Sequence, residues 1–136
     1  RPDDAVQFVK ESKVDFLSPH RVRRPESPAQ TAEHGRALLA ALRDAGCPVP
    51  VLYQEPFRRG YGNWQPQAED FLLDLAQARD GGGAGWCFHN GGVRPGDSGR
   101  PRRSFDMRSE EGRLFDQLDA EETRFMETLR EGTAQE

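Results

Sequence analysis

Short apolar runs alternate with segments of helical periodicity along most of this chain, and that alternation restricts the fold more than any other feature. Residues 13–18 (KVDFLS), 49–54 (VPVLYQ) and 84–89 (AGWCFH) read as strands. Helices are expected at about 29–45, 66–79 and 109–130, and a helical tail at 3–11 precedes the first strand. In the first of the three helices Leu38, Leu39, Leu42 and Ala45 make one stripe, and Gly46 stands at the C′ position. The second places Ala68, Phe71, Leu72, Leu75 and Ala76 on one face, with Pro66 in the first turn and glycines 81–83 as the stop. In the third, Leu114, Phe115, Leu118, Phe125, Met126 and Leu129 face inward. Pro48 and Pro50 fall at the start of the second strand, where a missing N–H is tolerated.

Strands that alternate with helices of this length pair in parallel through right-handed crossovers, so the class is α/β. A three-stranded parallel sheet leaves two unpaired edges, which complete folds blunt or close. The expectation is a single partial domain over 1–136, with further strands on at least one side. The chain starts at Arg1 and has methionine only at 107 and 126, which agrees with a piece of a longer protein. Its 136 residues are roughly half of a (β/α)8 barrel of about 250.

Composition removes several partner classes. With 19 Lys+Arg against 23 Asp+Glu the net charge is −4, and this mixed-sign balance argues against nucleic acid as the main partner, whose binding needs a concentrated basic face. No apolar run approaches the roughly 18 residues that would span a membrane. Cys47 and Cys87 fall at opposite ends of neighbouring strands, roughly 15–20 Å apart at ~3.3 Å per residue. A disulfide needs Cα atoms within about 7 Å, so two free and mostly buried thiols are expected. His20, His34, His89 and Cys87 have no metal-ligand spacing, and glycines 81–83 lack the Lys of a phosphate loop. No metal or cofactor is expected. The arginines at 94, 100, 102 and 103 read as a solvated, mobile loop, with binding of an anionic sugar or phosphate as the alternative.

In parallel α/β sheets the ligand site forms where strands end and loops lead to helices. Three such ends occur: Ser18-Pro19-His20-Arg21, Tyr53-Gln54-Glu55-Pro56 and Phe88-His89-Asn90-Gly91. The loops behind them are long and the returns from helix to strand are short. Glu55 lies among Tyr53, Phe57, Tyr61 and Trp64, whose flat faces suit sugar C–H surfaces. Its carboxylate suits a nucleophile on an anomeric carbon, kept ionised by Arg58 and Arg59; a solvated Glu paired with an arginine is the plain alternative. His20 and His89 suit a substrate hydroxyl or the orientation of Glu55, or else are structural polar residues at strand ends.

The stretch from 14 to 90 resembles the last three strands of the cellulase-like (β/α)8-barrel retaining glycoside hydrolases. VDFLSPH with His20 is similar to the sixth strand of that clan, VLYQEP puts Glu55 at the nucleophile of the seventh, and GWCFHN is similar to the eighth. Where that clan often has a terminal sugar-stacking Trp, this chain has His89, and Trp86 lies three residues earlier on the opposite face. The resemblance implies a partial TIM barrel made of the last three β/α units. It further implies hydrolysis of O-glycosidic bonds of a poly- or oligosaccharide, with Glu55 as nucleophile. His20, Tyr53, Tyr61, Trp64, Trp86, His89 and Asn90 would surround the carbohydrate. The second carboxyl of the mechanism is a Glu at the end of the fourth strand, in the N-terminal half of the barrel upstream of Arg1. On that basis the 136-residue chain alone is expected to be inactive, and a secreted or periplasmic setting suits the substrate. Two alternatives remain: a non-catalytic carbohydrate-binding barrel, and a different TIM-barrel enzyme acting on a phosphorylated substrate at Gly91, Gly92 and Arg94.

Overall fold

A computed structural model describes residues 1–54, 57–59, 62–87, 116 and 118–133. The elements, in chain order, are α1 (Pro2–Ser12), α2 (Ser27–Asp44), β1 (Leu52–Tyr53), α3 (Ala68–Asp80), β2 (Gly85–Trp86) and α4 (Ala120–Thr133). They fall into two compact units, Arg1–Pro56 with Leu73–Phe88 and Phe57–Leu72 with His89–Glu136.

The first unit is built on three extended segments that lie side by side in chain order. β1 and β2 are parallel, with Leu52 opposite Gly85 and Tyr53 opposite Trp86. Leu17 forms a parallel bridge to Val51 on the other side. The Leu17 N–H donates to the Pro50 carbonyl at 2.9 Å and the Leu52 N–H to the Leu17 carbonyl at 2.8 Å. Across the second seam, the Ala84 and Cys87 N–H groups donate to the Val51 and Tyr53 carbonyls, both at 2.8 Å.

These ladders are shorter than the expected strands 13–18, 49–54 and 84–89. Pairing is confined to Leu17, to 51–53 and to 85–86. The prolines explain it: Pro48 and Pro50 have no N–H to donate, and Pro19 interrupts the first segment two residues after its bridge. Residues 88 and 89 of the third expected strand lie outside the described residues.

α2 and α3 end alike. The Gly46 N–H donates to the Arg43 carbonyl and the Cys47 N–H to the Leu42 carbonyl, each at 3.0 Å. After α3, the Gly82 N–H reaches the Arg79 carbonyl at 3.0 Å and the Gly83 N–H the Ala78 carbonyl at 2.8 Å. Both are Schellman endings, with the left-handed C′ residue supplied by Gly46 (φ 71°) and Gly82 (φ 82°). Each turn hands the chain directly to the next extended segment.

Val9 of α1, Leu38 and Leu42 of α2, Ala78 of α3, and Leu17, Val51 and Tyr53 form one buried cluster. Val51 and Tyr53 alternate with half-buried Leu52 and exposed Gln54, so one face of the extended segments carries the helices. Burying each Leu or Val of this size contributes about 1.5–3 kcal/mol. On α3 the buried line is Ala68, Phe71, Asp74 and Ala78, whereas Ala76 is exposed. The stripe is therefore rotated from the one that apolar periodicity selects, because a carboxylate occupies a core position.

In the second unit α4 begins at Ala120, later than the expected 109, and runs to Thr133, beyond the expected 130. Residues 109–115 and 117 lie outside the described residues. Its start is set by a reciprocal cap. The Glu122 N–H donates to Asp119 Oδ1 at 3.0 Å, and the Asp119 N–H to Glu122 Oε2 at 2.9 Å. Phe71 and Phe125, both buried, pack with centroids 5.5 Å apart. Glu121 Oε2 accepts the Ala68 N–H at 2.9 Å, which gives α3 an N-terminal cap from another helix. Arg124 pairs with Glu69 and Glu121 on the surface.

Candidate strand-end site

Past the end of the first extended segment the chain turns through Ser18, Pro19 and His20 to Arg21, whose side chain runs inward. There it meets Asp74 of α3, a carboxylate with no exposed surface. Arg21 Nη2 donates to Asp74 Oδ2 at 2.9 Å, and Nη1 is bonded to Oδ1. The Trp86 indole N–H donates to Oδ2 at 2.8 Å, and the Thr31 hydroxyl is 2.7 Å from Oδ1. The Ser27 carbonyl is 3.3 Å from the same hydroxyl, so the charged oxygen is the better acceptor for its single proton. Each carboxylate oxygen thus holds two donors, which fills the roughly four lone-pair sites of a carboxylate. A buried ion costs several kcal/mol in desolvation, and this number of partners is what offsets it.

Tyr53 completes the cluster from β1. Its ring lies under the Arg21 guanidinium, 4.7 Å from centroid to Cζ, an arrangement in which the cation meets the negative face of the ring. Burial pushes the Tyr53 hydroxyl above its ordinary range; Arg21 works against that shift and Asp74 adds to it. The cluster therefore ties the loop after the first segment to β1, β2, α2 and α3.

The expected site residues separate into groups. His20 is exposed, one position before Arg21. Tyr53 is buried, with its hydroxyl close enough to α2 that a Cβ on Gly35 would lie 2.9 Å away. Trp86 is half-buried, and its N–H is committed to Asp74. Trp64 is half-buried in the second unit, edge-on to Phe57 with centroids 5.3 Å apart. Glu55, Tyr61, His89 and Asn90 lie outside the described residues. In sequence, Arg21 follows His20 directly, Tyr53 precedes Glu55 by two residues and Trp86 precedes His89 by three.

Arg21, Thr31 and Asp74 were not singled out by the sequence. One signal was there: Asp74 stands three residues after Phe71 and four before Ala78, on the line that α3 buries. An acid in that register is seldom buried without partners. Asp74 has no oxygen left over for acid–base chemistry or metal binding. Its chemistry is to hold Arg21 and Trp86.

A cleft of about 300 Å³, lined by Leu39, Leu42, Arg43, Pro48, Val49 and Pro50, lies where α2 ends and the chain enters β1. That is the opposite end of the segment from the strand-end loops. Cys47 is half-buried and Cys87 is exposed, where burial was expected for both, and neither is in a disulfide. Among the described residues no three His, Cys, Asp or Glu side chains gather as a metal group, and no helix is long and apolar enough to cross a membrane. Compared with family models, with curated proteins and with solved structures, the chain matches none of them.

Proposed function

We propose that the chain forms the last three β/α units of a cellulase-like (β/α)8-barrel retaining glycoside hydrolase, with Glu55 as its nucleophile. The observation that carries the proposal is the order of the first unit. Three parallel extended segments lie adjacent in chain order, joined through α2 and α3, and the sequence continues from them to His20, Glu55 and His89. Matched Schellman turns after α2 and α3 support the same repeat.

In the mechanism, the Glu55 carboxylate attacks the anomeric carbon while a second carboxyl about 5–5.5 Å away protonates the leaving oxygen. The Glu55 ester is then hydrolysed by water, and the second carboxyl, now ionised, takes the water's proton. By the resemblance, that second group is a Glu at the end of the barrel's fourth strand. The carbohydrate, by the same resemblance, lies past the strand ends, with His20 among its contacts.

The test is covalent trapping. The natural protein that carries this sequence is treated with a cyclophellitol-type epoxide, digested and mapped by mass spectrometry. Labelling at Glu55, lost in Glu55→Gln, is the expected result. Turnover of a glycoside by a protein labelled at any other carboxylate would overturn the assignment. Hydrolysis by the 136-residue chain itself, abolished by Glu55→Gln, would show that the second carboxyl lies within these residues.

A further inference from the structure

We infer that the cleft at the C-terminal end of α2 is a binding site for an amphiphilic anion, a carboxylate carried on an aliphatic chain of roughly ten carbons. The cleft lies within the first unit, at the end of the central segment away from the strand-end loops, so the inference does not rest on the glycosidase reading.

The cleft holds about 300 Å³, at the lower end of the range for ligand pockets. At about 30 Å³ for one water-sized group, that space takes roughly ten such groups in a row. Its walls are aliphatic: Leu39 from α2, and Pro48, Val49 and Pro50 from the chain that enters β1. Leu39 and Val49 pack on the cluster to which Leu42 belongs, so the cleft backs onto the core. Proline has no N–H, and the Pro50 carbonyl already accepts from Leu17. Apolar contact is therefore what these walls supply.

Among the described residues Arg43 is the one charged side chain of the lining. It follows Leu39 by four positions on α2, so the two stand on one face. Arg43 is exposed, and among the described residues its side chain has no hydrogen bond or ion pair. Its place in the last turn of α2 suits its charge through the helix dipole but occupies none of its five N–H donors. Arg36, seven residues earlier on the same face, is exposed and unpaired as well. Asp44, the next residue after Arg43, is outside the lining. A free guanidinium at the rim of an aliphatic cleft matches a carboxylate at the end of an aliphatic chain, which it holds through two parallel N–H···O bonds. A neutral head group forgoes that pairing, and a cationic one is repelled.

The experiment titrates decanoate into the ¹⁵N-labelled 136-residue chain. Hexanoate, decanol and decyltrimethylammonium are titrated in parallel, and Arg43→Gln is the variant. Because Arg43 is exposed and unpaired, Arg43→Gln is expected to melt with the parent. Saturable shifts are expected at the Leu39, Leu42, Arg43 and Val49 amides, with the amides of α1 and α4 unmoved. Decanoate is expected to bind about tenfold or more tightly than hexanoate, since each fully buried methylene is worth about fourfold and this cleft is partly open. Arg43→Gln is expected to weaken decanoate about tenfold and to leave decanol unchanged.

Decanol or decyltrimethylammonium binding as tightly as decanoate would overturn the inference without recourse to any variant. Arg43→Gln binding decanoate like the parent would overturn it too. So would shifts that fail to saturate, or that centre on α1 or α4.

Discussion

Arg21 and Asp74, 53 residues apart in sequence, face each other through two parallel N–H···O bonds, with Nη2 to Oδ2 at 2.9 Å. Their side chains are 9% and 0% exposed, so neither charge is shared with solvent. Removing one partner leaves the other buried and uncompensated, and Asp74→Ala is expected to lower stability by about 3–5 kcal/mol. Arg21→Met/Asp74→Leu removes both charges; the Trp86 indole N–H loses its Asp74 acceptor, while the Thr31 hydroxyl keeps the Ser27 carbonyl at 3.3 Å. The double variant is expected to cost less than Asp74→Ala alone. Urea unfolding of the two proteins decides the matter; a double variant as unstable as Asp74→Ala would contradict it.

Two glycines are required for different reasons, and one substitution separates them. A Cβ on Gly81 would lie 2.8 Å from Ala32 Cα and 2.9 Å from the Ala32 carbonyl oxygen, both backbone atoms of α2. Gly46 has open space around it but a φ of 71°. Gly81→Ala should therefore cost about 1–3 kcal/mol by overpacking. Gly46→Ala should cost about 1–2 kcal/mol through left-handed strain. Asparagine tolerates that backbone region, so Gly46→Asn is expected to recover most of the loss. Gly81→Asn, larger still, is expected to be worse than Gly81→Ala. Thermal melting of the four variants gives the ranking.

Phe71 and Phe125 lock α3 to α4 within the second unit, both with at most 1% exposure. Either truncation to Ala is expected to cost about 3–5 kcal/mol. Their tilted contact adds about 0.5–1.5 kcal/mol beyond area burial, and this part should appear as coupling in a double-mutant cycle. Independent, additive losses would mean that the rings merely share a core.

Apolar spacing revealed the parallel, chain-ordered arrangement of 17, 51–53 and 85–86 because each segment is a short apolar run closed by proline or glycine. The glycine stops after α2 and α3 were legible for a similar local reason: a left-handed C′ residue has few alternatives to Gly. Asp74 was hidden because periodicity treats every charge as outward, and its partners Arg21, Thr31 and Trp86 are remote in sequence. The start of α4 was hidden too. The Asp119–Glu122 cap sits in a run of acids that looks equally helical on both sides. Tyr53 and Trp86 stand at strand ends, as sugar-contacting aromatics would, and sequence cannot tell which face of a pleat a neighbouring Arg–Asp pair will claim.

Acid should loosen the contacts between α3 and α4 in the second unit. The Ala68 N–H, and then Arg124, hold Glu121 below its ordinary value of 4.5, and the Arg124 bonds do the same for Glu69. A folded value below the unfolded one means stabilisation that is present above about 4.3–4.5 and lost as pH falls through the depressed folded values. Hydrogen exchange of α4 amides is expected to accelerate on acidification through that window. Glu121→Gln should flatten the dependence by removing one of the two carboxylates, and Arg124→Ala should flatten it by releasing Glu69. An acid limb unchanged in both variants would place the sensitive carboxylates elsewhere.

The alkaline side reports on the Arg21–Asp74 cluster. Of the chain's two tyrosines Tyr53 is among the described residues, and burial raises its hydroxyl, against the pull of Arg21 and with the help of Asp74. A folded value above the unfolded value of about 10 means the stabilisation is complete below 10 and is lost as pH rises through the folded value. Absorbance at the phenolate band should therefore show Tyr53 titrating late, together with loss of the fold. Tyr53→Phe should remove that late step and extend the alkaline range of stability. In Arg21→Met/Asp74→Leu both opposing charges are gone while the ring stays buried, so the step should persist at high pH. If it falls to the ordinary tyrosine range, the neighbouring charges rather than burial were setting it.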